Sequence, residues 1–242
     1  MTDIILGRGQ AGKAVFDNYL EPPQVYDKGE WEDLDKVIVD MLHICIPFND
    51  DFFGVIGKAL YVFRCKILVI HSTVKPGTTR KIEHPNKVYS PIMGRHKDDF
   101  SKNIRAYNKI LSGNEDDCHE VMGRFNLGMD YWGDNWDELE FAKVMSTAYM
   151  FWNLIYNKVI HKECNERGYD PKRVYNEWQR NYNTGISGTH ADWKRPIYHY
   201  DESPIPGGHC LVPNLDLDNN LITSILKDWV QSKGTMKYDG FV

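Results

Sequence analysis

Asp3-Ile4-Ile5-Leu6-Gly7-Arg8-Gly9-Gln10-Ala11-Gly12 stands at the start of the chain, and its reading decides the fold. The apolar run before Gly7 reads as a short buried strand, and the stretch from Gly12 to about Leu20 reads as a helix. Between them lies a Gly-x-Gly-x-x-Gly turn. In such a turn the first glycine permits the tight bend, the second lets a pyrophosphate approach the backbone, and the third lets helix and strand pack closely. The new helix offers its free N–H groups, at Gln10 and Ala11 among others, to an anion. Pro22-Pro23 breaks the helix, and Gln24-Val25-Tyr26-Asp27 reads as a second strand.

Further along, residues 37–46 form a third strand ending at Pro47, residues 50–63 a helix, and residues 66–71 an apolar strand covered on both faces. Short strands are expected at 87–90 and 109–111, with a helix over 116–126. Strands alternating with helices imply a parallel sheet with helices on both faces. Residues 136–167 lack Gly and Pro and carry apolar residues at helical spacing, so one long helix is expected, ended by Gly168. Asp170-Pro171 starts another, with Asp as cap and Pro at the first helical position. Residues 183–213 read as a loop, and 215–233 as a last helix. The expected architecture is α/β: a Rossmann-type doubly wound parallel sheet over 1–134, then a long-helix all-α domain over 135–242. Asp27 lies at the end of the second strand, where a carboxylate can accept hydrogen bonds from both ribose hydroxyls and repels a 2′-phosphate. The expected cofactor is therefore NAD.

Composition narrows the function classes. Of 242 residues, 42% are hydrophobic, enough for a core, and the formal charge of −5 comes without a basic block, which argues against nucleic acid. Met1-Thr2-Asp3 leads straight into the strand with no leader pattern, and no stretch approaches the ~20 apolar residues of a membrane span. Cys45, Cys65, Cys118, Cys164 and Cys210 are odd in number and scattered, which suits free thiols in a reducing cytoplasm. His161 and Cys164 share a helix face, but no second pair with ligand spacing follows, so packing and no metal is expected.

Several later segments resemble the UDP-glucose/GDP-mannose 6-dehydrogenase family. They are Ile44-Cys45-Ile46-Pro47; His71-Ser72-Thr73-Val74-Lys75-Pro76-Gly77-Thr78-Thr79; Glu138-Leu139-Glu140-Phe141-Ala142-Lys143; Cys164-Asn165-Glu166-Arg167-Gly168-Tyr169-Asp170; and Pro206-Gly207-Gly208-His209-Cys210. They run in order through nearly the whole chain. The resemblance implies oxidation of a sugar-type alcohol to a carboxylate by two hydride transfers to NAD. It implies that Cys210 is the nucleophile, forming a thiohemiacetal and then a thioester, that Lys143 stabilises the oxyanion, and that Thr73 lies near the nicotinamide and the attacking water. It adds Pro47 to the cofactor residues Gly7, Gly9, Gln10, Ala11, Gly12, Asp27 and Thr73. It also implies a homodimer through residues 136–167, with the aromatics Tyr149, Phe151, Trp152 and Tyr156 in core or interface.

The chain departs from that family in four respects. Thr147 stands where an Asn is usual, and Asn214 where an Asp is usual; Asn hydrogen-bonds but is no general base. Ser90-Pro91-Ile92-Met93-Gly94-Arg95-His96 carries no carboxylate where a catalytic Glu is usual, leaving Arg95 or His96 to meet the substrate. The sequence ends at Val242, which implies a short homologue lacking the family's second α/β domain. Two other readings therefore stand beside the first: a two-electron β-hydroxyacid-type dehydrogenase, which uses a helix lysine but no cysteine, and a non-catalytic NAD-binding relic. The expected partner is a small-molecule substrate, a sugar or nucleotide sugar.

Overall fold

The structure is a computed structural model describing residues 2–94, 100–198 and 211–232. The chain forms two compact units, Met1–Val144 and Met145–Val242.

In the first unit the elements run β1 (Ile4–Leu6), α1 (Gln10–Phe16), β2 (Gln24–Tyr26), β3 (Val37–Ile44), α2 (Phe52–Val62), β4 (Phe63–Ile70), α3 (Thr78–Lys81), β5 (Lys87–Tyr89), α4 (Phe100–Asn103), β6 (Lys109–Gly113), α5 (Glu115–Met122) and β7 (Met129–Tyr131). The first turns of the long helix α6 (Trp136–Arg167) complete it. The strands form one sheet in the order β2-β1-β3-β4-β5-β6-β7. Strands β1 to β5 are parallel, β6 is antiparallel to β5, and β7 is parallel to β6. The expected Rossmann-type α/β fold is therefore present, with one departure from an all-parallel sheet. Strand β6 starts where β5 ends, which places Lys109 at the C-terminal ends of the parallel strands.

The alternation of side chains divides the sheet's apolar residues between two layers. Ile4, Leu6, Leu42, Ile44, Leu68 and Ile70 pack with Phe52 and Ile56 of α2. Ile5, Met41, Cys45, Ile67 and Val69 pack with Val15 of α1 and Val121 of α5. Both faces are thus buried, which is why β1 and β4 read as apolar runs.

Boundaries moved where side chains compete with the helix. Helix α1 ends at Phe16, short of Leu20, because the buried Asn18 side chain donates to Ala14 O and Ser101 O. Helix α5 ends at Met122, with Gly123 as its C-cap. Strand β7, three residues long, was not anticipated.

In the second unit, α6 ends as expected at Gly168, whose φ is +71°. Gly168 N donates to Asn165 O and Tyr169 N to Cys164 O, a left-handed C-terminal cap that only glycine adopts without strain. Asp170 accepts from Lys172 N, and a π-type turn (Lys172–Glu177) leads into α7 (Trp178–Ile186). Residues 183–186, expected in a loop, belong to that helix. The last helix is divided, in contrast to the single span expected. After α8 (Leu211–Asn214) comes a tight turn over Leu215–Leu217, then α9 (Leu221–Gln231), which begins at a capping box of Asn220 and Thr223. Leu211, Leu215 and Leu226 close on Ala148 and Phe151 of α6. No helix among the described residues is long and apolar enough to cross a membrane.

Candidate functional site

Each glycine of the loop has a separate steric role. Gly7 has φ +108°, and a Cβ on it would lie 2.5 Å from Cys45 O. A Cβ on Gly12 would lie 1.8 Å from Gly7 O. Side chains at these two positions collide with backbone. Gly9, the N-cap of α1, is the opposite case: its Cβ would meet no described atom within 4 Å. The face beside Gly9 and the exposed Gln10 is therefore open, and the N-terminal N–H groups of α1 lie there with no side-chain cap. This is a cradle that a methyl would fill, and it suits a pyrophosphate.

At the end of β2, Asp27 is exposed, and its Oδ1 accepts from Lys28 N at 2.9 Å. Glu30, which the sequence reading passed over, accepts from Asp27 N at 2.8 Å through Oε2, and its Oε1 pairs with Arg8 of the glycine loop. Arg8 also donates to Val25 O at 3.0 Å. Two carboxylates and one paired guanidinium therefore stand at this strand end.

The ends of β3 and β4 are tied together by Ser72, whose hydroxyl donates to Ile46 O at 2.6 Å. Pro47 is exposed and Thr73 half-buried on either side of this tie. The segment after Thr73 is held by Glu140 of α6, a fully buried carboxylate. Its Oε2 accepts from Gly77 N (2.6 Å) and Thr78 N (3.1 Å), and its Oε1 from Thr79 N (2.8 Å) and Thr79 Oγ1 (2.6 Å). Burial raises the Glu140 pKa against the lowering effect of these four bonds. One helical turn on, Lys143 donates to Ile92 O at 2.7 Å.

Lys143 and Thr73 lie in the first unit. Asn214 is half-buried at the end of α8 in the second, and Thr147 is half-buried on α6. Cys210 and the rest of its loop, with Arg95 and His96, lie outside the described residues. His161 is buried against the ring of Tyr175, 6.2 Å between centroids, and Cys164 is buried.

A second polar group was missed altogether. His43 on β3 and His71 after β4 stack at 5.2 Å, and His43 Nδ1 lies 2.9 Å from His71 Nε2. Buried Lys109 reaches Ser90 O (2.6 Å), Pro91 O (3.4 Å) and His71 Nδ1 (3.1 Å). Burial, reinforced by Lys143, lowers the amine pKa to about 7, and burial holds His43 near 3 and His71 well below its ordinary value. The sequence signal was slight: polar residues at positions whose alternation points them inward.

No protein-family model matches this sequence, and no curated protein does. Solved structures do. The UDP-D-ManNAc dehydrogenase of Pyrococcus horikoshii matches with TM-score 0.69 at 14% identity, over 96% of this chain and 69% of that one. A UDP-glucose dehydrogenase of Pyrobaculum islandicum matches with TM-score 0.64 at 12% identity, over 96% and 64%. The 3-hydroxyisobutyrate dehydrogenase of Mycobacterium tuberculosis also scores 0.64, at 12% identity, over 96% and 93%. At these identities the likeness is one of fold, and nearly the whole chain has the fold shared by these dehydrogenases.

Proposed function

We propose that this chain binds NAD at its glycine loop and is an NAD-dependent oxidoreductase of the UDP-glucose/GDP-mannose 6-dehydrogenase type, acting on an alcohol of a sugar or similar polar small molecule. The observation that carries this reading is the division of labour among the glycines: Gly7 and Gly12 are demanded by the backbone, while Gly9 leaves an open cradle at a helix N-terminus. NAD is preferred to NADP because Asp27 and Glu30 stand together at the end of β2, and Glu30 already neutralises Arg8. A bound nicotinamide supplies the hydride acceptor. Gly9, Gln10 and Ala11 would hold the pyrophosphate, Asp27 the ribose, and Pro47 and Thr73 the nicotinamide. Lys143 supplies positive charge to the developing oxyanion, Cys210 the nucleophilic thiolate, and Asn214 a hydrogen bond.

The test is calorimetry with NAD and NADP, followed by a screen of nucleotide sugars and free sugars read as NADH absorbance. NAD binding with NADH formation supports the reading; no binding of either nucleotide removes it. The two-electron reading is favoured by one observation, the 93% coverage of the hydroxyisobutyrate dehydrogenase. Cys210→Ser separates the two: loss of acid formation with aldehyde still produced supports the first, and unchanged turnover the second. We further propose a homodimer through residues 136–167, a reading supported by the exposure of Tyr149, Met150, Trp152, Tyr156 and Val159 on α6, where Phe151 is buried. Light scattering showing a monomer at micromolar concentration refutes it.

A further inference from the structure

Five side chains on one face of the sheet form an unbroken hydrogen-bonded chain that the chemistry above does not use. From the inside outward they are Lys109, His71, His43, Tyr19 and Asp3. Tyr19 Oη lies 2.5 Å from His43 Nε2 and 3.1 Å from Asp3 Oδ2. Phe125 packs against Tyr19 and both imidazoles. Every contact is direct, and the middle of the chain is buried.

The donor count at Lys109 governs all the others. A protonated amine has three N–H groups, and its three neighbours are Ser90 O, Pro91 O and His71 Nδ1. His71 Nδ1 must then accept, so His71 carries its hydrogen on Nε2 and donates to His43 Nδ1. His43 in turn carries its hydrogen on Nε2 and donates to Tyr19, which donates to Asp3. A neutral amine has two N–H groups, enough for the two carbonyls. His71 Nδ1–H then donates to Ser90 O, at 2.8 Å. His71 Nε2 accepts from His43 Nδ1–H, His43 Nε2 accepts from Tyr19 O–H, and Asp3, protonated until it releases the proton to solvent, donates to Tyr19. The second arrangement pairs every member directly; in the first, the Lys109 ammonium donates to both Ser90 O and His71 Nδ1 and so bridges two acceptors that lie 2.8 Å apart. A mixture opposes two donors or two acceptors in a buried site, which is costly.

We propose that Lys109, His71, His43, Tyr19 and Asp3 are a proton wire along one face of the sheet, in which one proton passes between the buried amine and the carboxylate near the surface while both histidines exchange tautomers. The transfer balances at each step. An N–H of Lys109 breaks as one forms at His71 Nδ1; His71 Nε2–H breaks as His43 Nδ1–H forms; His43 Nε2–H breaks as Tyr19 O–H forms; and the former Tyr19 proton goes to Asp3 Oδ2. Solvent exchanges with Asp3.

The surroundings keep charge at the ends. Cys45, just after β3, and Lys143 on α6 act on Lys109, and Arg124 and Asp40 act on Asp3, with Arg124 Nε 3.1 Å from Asp3 Oδ2. Burial makes an imidazolium unfavourable at either histidine, so the rings pass the proton without storing it. The amine and the carboxyl are both shifted toward their neutral forms by burial. The inner end sits on Ser90 and Pro91, next to the Ile92 carbonyl that holds Lys143. The charge of Lys109 therefore acts on the lysine assigned to the oxyanion.

The experiment is long-range ¹H–¹⁵N correlation spectroscopy of the ¹⁵N-labelled full chain between about pH 6 and pH 9, around the midpoint expected for Lys109. Nδ1 and Nε2 of His71 and His43 should exchange protonated and unprotonated shifts at one shared midpoint, that of the Lys109 amine. Tautomers that stay fixed across the range, separate midpoints, or an imidazolium at either ring overturn the proposal. Tyr19→Phe cuts the outward path, so proton exchange at the two rings should slow, read from their line shapes; an unchanged exchange rate removes Tyr19 and Asp3 from the wire. No cofactor or substrate enters the measurement, so its result is independent of the oxidoreductase reading.

Discussion

Glu140→Gln changes one atom of a buried side chain and tests what holds the segment bearing Thr73 to the helix bearing Lys143. Each oxygen of Glu140 accepts two hydrogen bonds. Glutamine retains one oxygen and turns an NH₂ group toward the other two donors. A hydrogen bond to a charged group contributes roughly 1.5–3 kcal/mol, so losing two costs about 3–6 kcal/mol. The Thr79 hydroxyl recovers part of this by rotating to accept from the new amide, which brings the expected loss to about 2–4 kcal/mol. Urea unfolding measures it as a lower midpoint at unchanged slope. Thr79→Val, which removes the 2.6 Å hydroxyl contact alone, should cost about 1.5 kcal/mol. The double variant should lose less than the sum, because the two residues share that bond. A Glu140→Gln loss below about 1 kcal/mol, or strict additivity, refutes the clamp.

Gly9→Ala should leave the urea midpoint nearly unchanged and weaken NAD binding by about tenfold or more, since its methyl enters the open cradle. Gly12→Ala should instead destabilise the fold by about 2 kcal/mol or more, because its methyl meets Gly7 O; equal effects of the two substitutions by calorimetry and urea unfolding contradict the geometry. The lowered pKa of Lys109 means that its favourable contribution is complete above the unfolded value of ~10.5 and is lost as pH falls to about 7. Lys109→Met should therefore gain stability relative to the parent by up to ~1.4 kcal/mol per unit as pH falls through that window, and be level below it; urea titrations at several pH values decide. Tyr89 Oη is buried with no hydrogen-bond partner among the described residues, so Tyr89→Phe should raise the thermal midpoint, by about 1 kcal/mol in stability; a loss of that size shows that the hydroxyl has a partner.

Local rules made the first half of the fold legible. The run Ile4 to Leu6 and the glycine spacing after it require little more than steric argument, and β3, α2 and β4 follow from periodicity. The end of α6 was visible because Gly168 supplies a left-handed residue where a helix must stop. What failed were features set by partners distant in sequence. Helix α1 ends early because Asn18 bonds to Ser101, and β6 pairs antiparallel with β5, a strand about twenty residues away in the chain. Glu30 was overlooked because its role depends on a turn that returns it to Arg8.

By itself the sequence determined the α/β order, the glycine loop, the carboxylate at Asp27 and the long helix, since each depends on residues within a few positions of one another. Only the tertiary structure decided that Gly9, of the three glycines, faces open space. It alone bound Thr79 to Glu140 across 61 residues and brought Lys109, His71, His43, Tyr19 and Asp3 into one chain. The physical reason is that buried polar groups must find partners wherever packing brings them, and sequence separation carries no record of that distance.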